Sequence, residues 1–184
     1  MLQFTAMDFE TANKYANSAC SLATVTKEGD TTTNETYRLI KPPFMVFAPE
    51  NINVHGIHPE DVADEPKFDA LWNVFRPHLE GHIVVAHYAV FDTRVLRSLL
   101  KTYHLEKPDI SYACTVEISR KVWPDLRNHK LNTVAEFLGF SFHHHQALDD
   151  ARACAVIACA AAKKVGAASM EDLLDIVGLP LKKL

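Results

Sequence analysis

Four consecutive apolar residues, Ile83-Val84-Val85-Ala86, follow Glu80-Gly81-His82. The run is too short for a core helix, comes after turn chemistry and is rich in β-branched residues, so it reads as a buried strand. The segments on either side are helical. Phe68, Leu71, Trp72, Phe75 and Leu79 recur at i, i+3, i+4, i+7 and i+11, one face of a helix. Val90, Val95, Leu96, Leu99 and Leu100 predict a second helix. A buried strand between two amphipathic helices needs a sheet to sit in, which restricts the chain to an α/β architecture.

The rest of that sheet is legible around it. Leu2 to Phe9 is largely apolar and predicts a central strand; Ser18 to Thr26 predicts a second, and Thr31 to Ile40 a third that returns through Glu28-Gly29-Asp30. Pro42 and Pro43 end this antiparallel meander. Ile110 to Cys114 reads as a fifth strand. Leu131, Val134, Phe137 and Leu138 mark a helix stopped near Gly139, a long Ala-rich helix runs from about Gln146 to Lys164, and Ser169 with Asp172 resembles a capping box. The expectation is a mixed five-stranded sheet, antiparallel meander plus parallel strands, flanked by helices. It occupies one domain over residues 1–184, with 165–184 a short C-terminal helix and tail.

Charge and cysteine content narrow the function. The formal net charge of −4 excludes nucleic-acid binding by a broad basic surface, so any such partner is held locally or through bound cations. Cys20, Cys114, Cys154 and Cys159 form no C-x-x-C pair and nothing before them looks like a secretory signal, so they read as buried free thiols of a cytoplasmic protein. The most apolar run, Ala153 to Ala162, is far shorter than the roughly 20 residues of a bilayer span and reads as a buried helix.

Three sites combine acids with histidines. Asp8 and Glu10 alternate with Phe9 at the end of the first strand, so both carboxylates project to one face. Alone, they read more readily as a solvated pair of acids at a strand end than as a metal site. Asp92 stands where the strand of His87 leads into a helix, where it would favour the helix macrodipole. Asp149 and Asp150 begin the Ala-rich helix, behind His143-His144-His145. If His145 lies in the preceding loop, its imidazole can fold back over Asp150. Chance explains one such site far better than all three in order. Four carboxylates meeting at one end of a sheet repel one another unless cations offset them. Two divalent ions about 4 Å apart are the usual arrangement for phosphodiester hydrolysis, and oxygen-only ligands favour Mg²⁺ or Mn²⁺.

Together the three sites resemble the motifs of the DEDD exonuclease superfamily, in the branch with a histidine in its third motif, which includes the DNA polymerase III epsilon proofreading subunit. Asp8-Phe9-Glu10-Thr11 matches D-x-E-T, His87-Tyr88-Ala89-Val90-Phe91-Asp92 is similar to H-N-A-x-F-D, and His145-Gln146-Ala147-Leu148-Asp149-Asp150 fits H-x-A-x-x-D. The sister branch would need a tyrosine at Gln146. His55-Gly56-Ile57, Cys114-Thr115 and Lys130-Leu131 match shorter family signatures. The resemblance covers about residues 2–164 and implies a ribonuclease H-like fold.

The resemblance also implies an activity: 3′→5′ removal of nucleotides from a single strand, DNA favoured, as nucleoside 5′-monophosphates. Asp8, Glu10, Asp92 and Asp150 would hold two divalent cations and His145 would act as general base. Phe9, Thr11, His55, Gly56 and Ile57 would contact the terminal nucleotide, with core packing the alternative for Phe9 and Ile57; His87 would touch a phosphate or serve as a hydrogen-bonded structural histidine. Tyr88 for Asn, and Ala12-Asn13 for Thr-Gly, depart from the pattern near that pocket and bear on substrate choice. Arg120, Lys121, Arg127 and Lys130 are a candidate phosphate track. The resemblance makes a DNA polymerase one expected partner; the short stretch after the Ala-rich helix favours a free-standing enzyme. The competing readings are an exoribonuclease of the same branch, a non-catalytic polymerase-accessory module, and a phosphodiesterase of small nucleotides.

Overall fold

A computed structural model describes residues 1–184. Its sheet has the order β3-β2-β1-β4-β5-β6. β1 (Gln3–Thr11), β2 (Ala19–Glu28) and β3 (Thr31–Leu39) form the antiparallel meander, and β4 (Ile83–Ala86) and β5 (Ser111–Cys114) add in parallel. This is the ribonuclease H-like arrangement. A sixth strand, β6 (Lys182–Lys183), pairs antiparallel with β5 where the sequence predicts a tail, and Leu184 beyond it is buried.

Eight helices accompany the sheet. α3 (Phe68–Leu79), α4 (Ala89–Thr102), α6 (Leu131–Phe137), α7 (Ala147–Val165) and α8 (Met170–Val177) fall where periodicity places them. Two short helices, α1 (Pro49–His55) and α2 (Pro59–Val62), and α5 (Thr115–Val122) were not expected. No single helix is long and apolar enough to cross a membrane.

The two faces of β1 set up the site. Thr5, Met7 and Phe9 share one face; Met7 and Phe9 pack into a core with Phe68, Trp72 and Phe75 of α3 and Leu96 and Leu99 of α4. Phe4 and Ala6 face the other way, into a core with α7. That core is built from small residues on both sides: Ala6, Ala23 and Ala113 on strands meet Ala151, Cys154, Ala155 and Ala158 on the helix. Small side chains let the α7 backbone lie close to the sheet. Asp8 and Glu10 continue the Phe4–Ala6 face past the core, so they emerge where α7 begins. Cys20, Cys114 and Cys154 are buried free thiols; Cys159 is only half-buried, a correction to the expectation for all four.

Candidate active site

The first turn of α7 brings Asp150 to Asp8 and Glu10. One carboxylate oxygen from each lies within 4.8 Å of the others. Asp150 is buried, while Asp8 and Glu10 are half-buried. Asp92, buried in the first turn of α4, joins them from behind. Its Oδ1 accepts the backbone N–H of Phe9 at 3.0 Å, which ties the second motif to the first. Asp92 is thus a partner of β1 rather than a helix-terminal charge facing water.

These acids disturb one another. Asp8 is held well above the usual carboxylate range by burial first, then by the charges of Asp92, Glu10 and Asp150. Glu10 is pushed up to about 8 by burial, then Asp150 and Asp92. Asp92 also rises to about 8, chiefly through burial, even though the Phe9 N–H favours its charged form. Protons or cations must offset this charge. The donors are carboxylate oxygens, and three of them lie close enough to share one ion, so the residues fit a hard divalent cation.

His145 stands in the loop before α7 as expected, with a ring nitrogen within 4.8 Å of an Asp150 oxygen, and His144 joins it there. At φ +69°, His145 also lends Asp150 its backbone N–H, 3.2 and 3.1 Å from Oδ1 and Oδ2. The imidazole hydrogen-bonded to Asp150 is that of His144, whose Nδ1 donates to Oδ1 at 3.1 Å. The two rings stack at 3.8 Å, and His145 lines an open groove. Burial and the neighbouring His144 lower the His145 pKa, so its ring is neutral near pH 7. His143 is exposed and its backbone N–H approaches Asp149 at 3.4 Å. Asp149 turns away from the acids to Arg152 at 3.0 Å, and Arg152 also grips Glu35 of β3 at 2.6 and 2.9 Å.

A groove of about 460 Å³ opens at the loop that holds Asp150, lined by His55, Gly56 and Ile57 and by His145, Gln146 and Ala147. α1 positions the first three. Asn51 donates from Nδ2 to the Thr11 carbonyl at 2.8 Å. His55 accepts the Ile57 N–H on Nδ1 and donates from Nε2 to the same Thr11 carbonyl at 3.1 Å. Gly56 closes α1 at φ +72°, a left-handed conformation that glycine adopts without Cβ strain.

The chain matches the exonuclease family model over residues 5–158. It belongs to the exonuclease family. The DNA polymerase III subunit epsilon of Aquifex aeolicus is 30% identical over 158 residues, 85% of this chain and 75% of that one. DNA polymerase III PolC-type of Thermotoga maritima is 31% identical over 157 residues, 84% of this chain and 11% of that one. The chain spans no more than about a tenth of the PolC-type polymerases it matches first. Among solved structures, exonuclease X in complex with 5′ overhanging duplex DNA superposes with a TM-score of 0.76 at 23% identity, covering 95% of this chain and 99% of that one. E. coli exonuclease I in complex with a dA16 oligonucleotide gives 0.77 at 15%, covering 95% and 42%.

Within this exonuclease-family chain, some expected substrate contacts are otherwise employed. The Phe9 side chain is 2% exposed and packs on Phe68, so only its backbone faces the site. His87 is occupied at both nitrogens, by the Thr115 hydroxyl and the His129 carbonyl at 2.9 Å each, and burial lowers its pKa to about 4. These bonds give it the structural role that the sequence also allowed. Thr11 is buried, and its carbonyl anchors α1. Ile57 both lines the groove and packs on Ala12, Cys20 and Val62. Sequence reasoning missed Asn51 and Arg152. Pro49 at the first position of a helix, with Glu50 after it, was the signal for α1. Arg152 carried no local signal, because its partner Glu35 is 117 residues away.

Proposed function

We propose that this chain is a 3′→5′ exonuclease that hydrolyses the terminal phosphodiester of a single strand, DNA in preference to RNA, and releases nucleoside 5′-monophosphates in proofreading or repair-like trimming in the cytoplasm. The observation that carries this reading is the meeting of Asp8, Glu10 and Asp150 within 4.8 Å, with Asp150 held by the backbone of His145, which lines an open groove. Pure binding of an anionic strand has no use for buried carboxylates. The preference for DNA rests on the polymerases and the DNA-bound structures to which the chain is similar.

Asp8, Glu10, Asp92 and Asp150 would hold two divalent cations, Mg²⁺ or Mn²⁺. When bound, these would supply Lewis-acid stabilisation of the phosphodiester and an activated nucleophile. The chain's own groups do the rest. The Phe9 N–H holds Asp92 in place, and the His145 N–H orients Asp150. The neutral His145 ring on the groove side accepts the proton of the attacking water. The terminal nucleotide lies in the groove against Gly56 and Ile57, where the missing Gly56 side chain leaves room for it. Association with a DNA polymerase suits the relatives by name, and a free-standing trimming enzyme suits the same chemistry.

Product analysis on 5′-labelled DNA and RNA strands of matched sequence tests the reading. Stepwise shortening with Mg²⁺ or Mn²⁺, abolished by chelator, by a 3′ block and by circularisation, is the expected result. Rapid internal cutting of a circular strand, or no metal-dependent product, would overturn it.

A further inference from the structure

The outer face of α4 carries a charge pattern that the chemistry above does not use. Val90, Arg94, Arg97 and Lys101 are its exposed apolar and basic residues at i, i+4, i+7 and i+11, so they form one stripe along the helix. At its far end, Arg97 and Lys101 join His104 and Lys107 in an open cleft of about 540 Å³ whose walls contain no acid. At its near end, Tyr88 is 65% exposed at φ +73°, one helical turn before Asp92, and Arg120 faces it across a smaller cleft.

Nearby acids have other cations beside them. Asp109 pairs with Lys183 and Glu117 with Lys182, and Glu106 lies 3.5 Å from Arg76, which also holds Glu80. Arg94, Arg97, Lys101 and Lys107 have no carboxylate within 4.0 Å, in a chain whose net charge is −4. A solvated helix face in an acidic protein usually carries alternating signs. Here the face has one sign, and it begins beside the acids of the site with an exposed aromatic.

We propose that this face is the path of the single strand upstream of the terminal nucleotide. A base stacks on Tyr88, the backbone phosphates meet Arg94, Arg97 and Lys101 in turn, and the cleft at Lys101 and Lys107 holds the last contacted phosphate. From Val90 to Lys101 the helix rises about 17 Å, enough to meet several successive phosphates. The inference rests on the proposed exonuclease reading. It moves the phosphate track from the Arg120–Lys130 segment, where Arg127 is near Glu136 at 3.9 Å, to α4.

The test is strand binding in chelator, measured across salt concentrations, together with cleavage kinetics. In Arg94→Gln/Arg97→Gln/Lys101→Gln the slope of log affinity against log salt should fall by about 0.7 per lost contact, about 2 in all. KM for a long strand should rise about tenfold or more with little change in kcat, and the loss on a dinucleotide should be much smaller. Arg97 also bonds the Lys183 carbonyl and stacks on Tyr112, so Arg94→Gln/Lys101→Gln serves as a second variant that leaves those contacts intact. An unchanged salt slope in both variants overturns the path and turns attention to an acidic protein partner. An equal loss on dinucleotide and long strand also overturns it. Failure of the wild type to cut any strand would sink the exonuclease reading, while chelated binding still reports on the path.

Discussion

Glu10→Gln in the metal-free protein gives the clearest readout of the acid cluster. Glu10 has a reference value of 4.5 in the unfolded chain and about 8 in the fold. Its folded pKa is raised, so the folded state holds the proton more tightly. Stability is fully present below about 4.5 and is lost as pH rises through about 8. At about 1.4 kcal/mol per pH unit that interval has a ceiling of about 5 kcal/mol. Glu10 is half-buried, and solvent screening reduces the expectation to a few kcal/mol. That is a large share of the roughly 5–15 kcal/mol that holds a domain folded. The neutral amide keeps the shape and removes the charge. Urea unfolding with chelator, from pH 5 to pH 9, should therefore show wild type losing stability on the alkaline side. The variant should follow it at pH 5 and exceed it by about 2–3 kcal/mol at pH 9. His87 and His55 have lowered values and bend both profiles downward below about 6.5, so the comparison cancels them. Divalent cation should stabilise wild type more than the variant. Superimposable profiles, or a variant less stable at pH 9, would refute the idea that burial, and then the charges of Asp150 and Asp92, penalise the ionised Glu10.

Two further outcomes follow from the same geometry. Asp8→Ala and Asp150→Ala should each abolish metal-dependent cleavage, Asp8→Ala with no loss of apo stability; near-wild-type turnover in either one removes the metal assignment. Among the histidines, His145→Ala should lose about 10²–10⁴-fold in single-turnover rate, with partial rescue at high pH, and His143→Ala should be mild. His144→Ala removes the imidazole bonded to Asp150 but not the groove-side ring, so its loss should be the smaller. A larger loss at His144 would shift the base by one residue.

Local pattern alone decided much of this protein. β4 is legible to the residue because a four-residue apolar run after a turn has few alternatives, and α3 is legible because five large side chains share one face. Strand alternation placed Asp8 and Glu10 on one side, and motif spacing marked Asp92 and Asp150. Some elements carry too little local signal. α5 opens with β-branched Thr115 and Val116, and two-residue β6 has no period at all, so each exists only because the edge of β5 and the buried core await it. The site's finer decisions are likewise tertiary. Phe9 goes to the core because odd positions of β1 face α3, which leaves its N–H to hold Asp92. His144 makes the ring hydrogen bond to Asp150, while His145, at φ +69°, adds its backbone N–H and keeps its own ring within 4.8 Å. Spacing along a chain determines which groups can meet. The direction in which a loop residue points, and which of two adjacent imidazoles hydrogen-bonds a carboxylate, depends on the packed surroundings that fix the backbone angle.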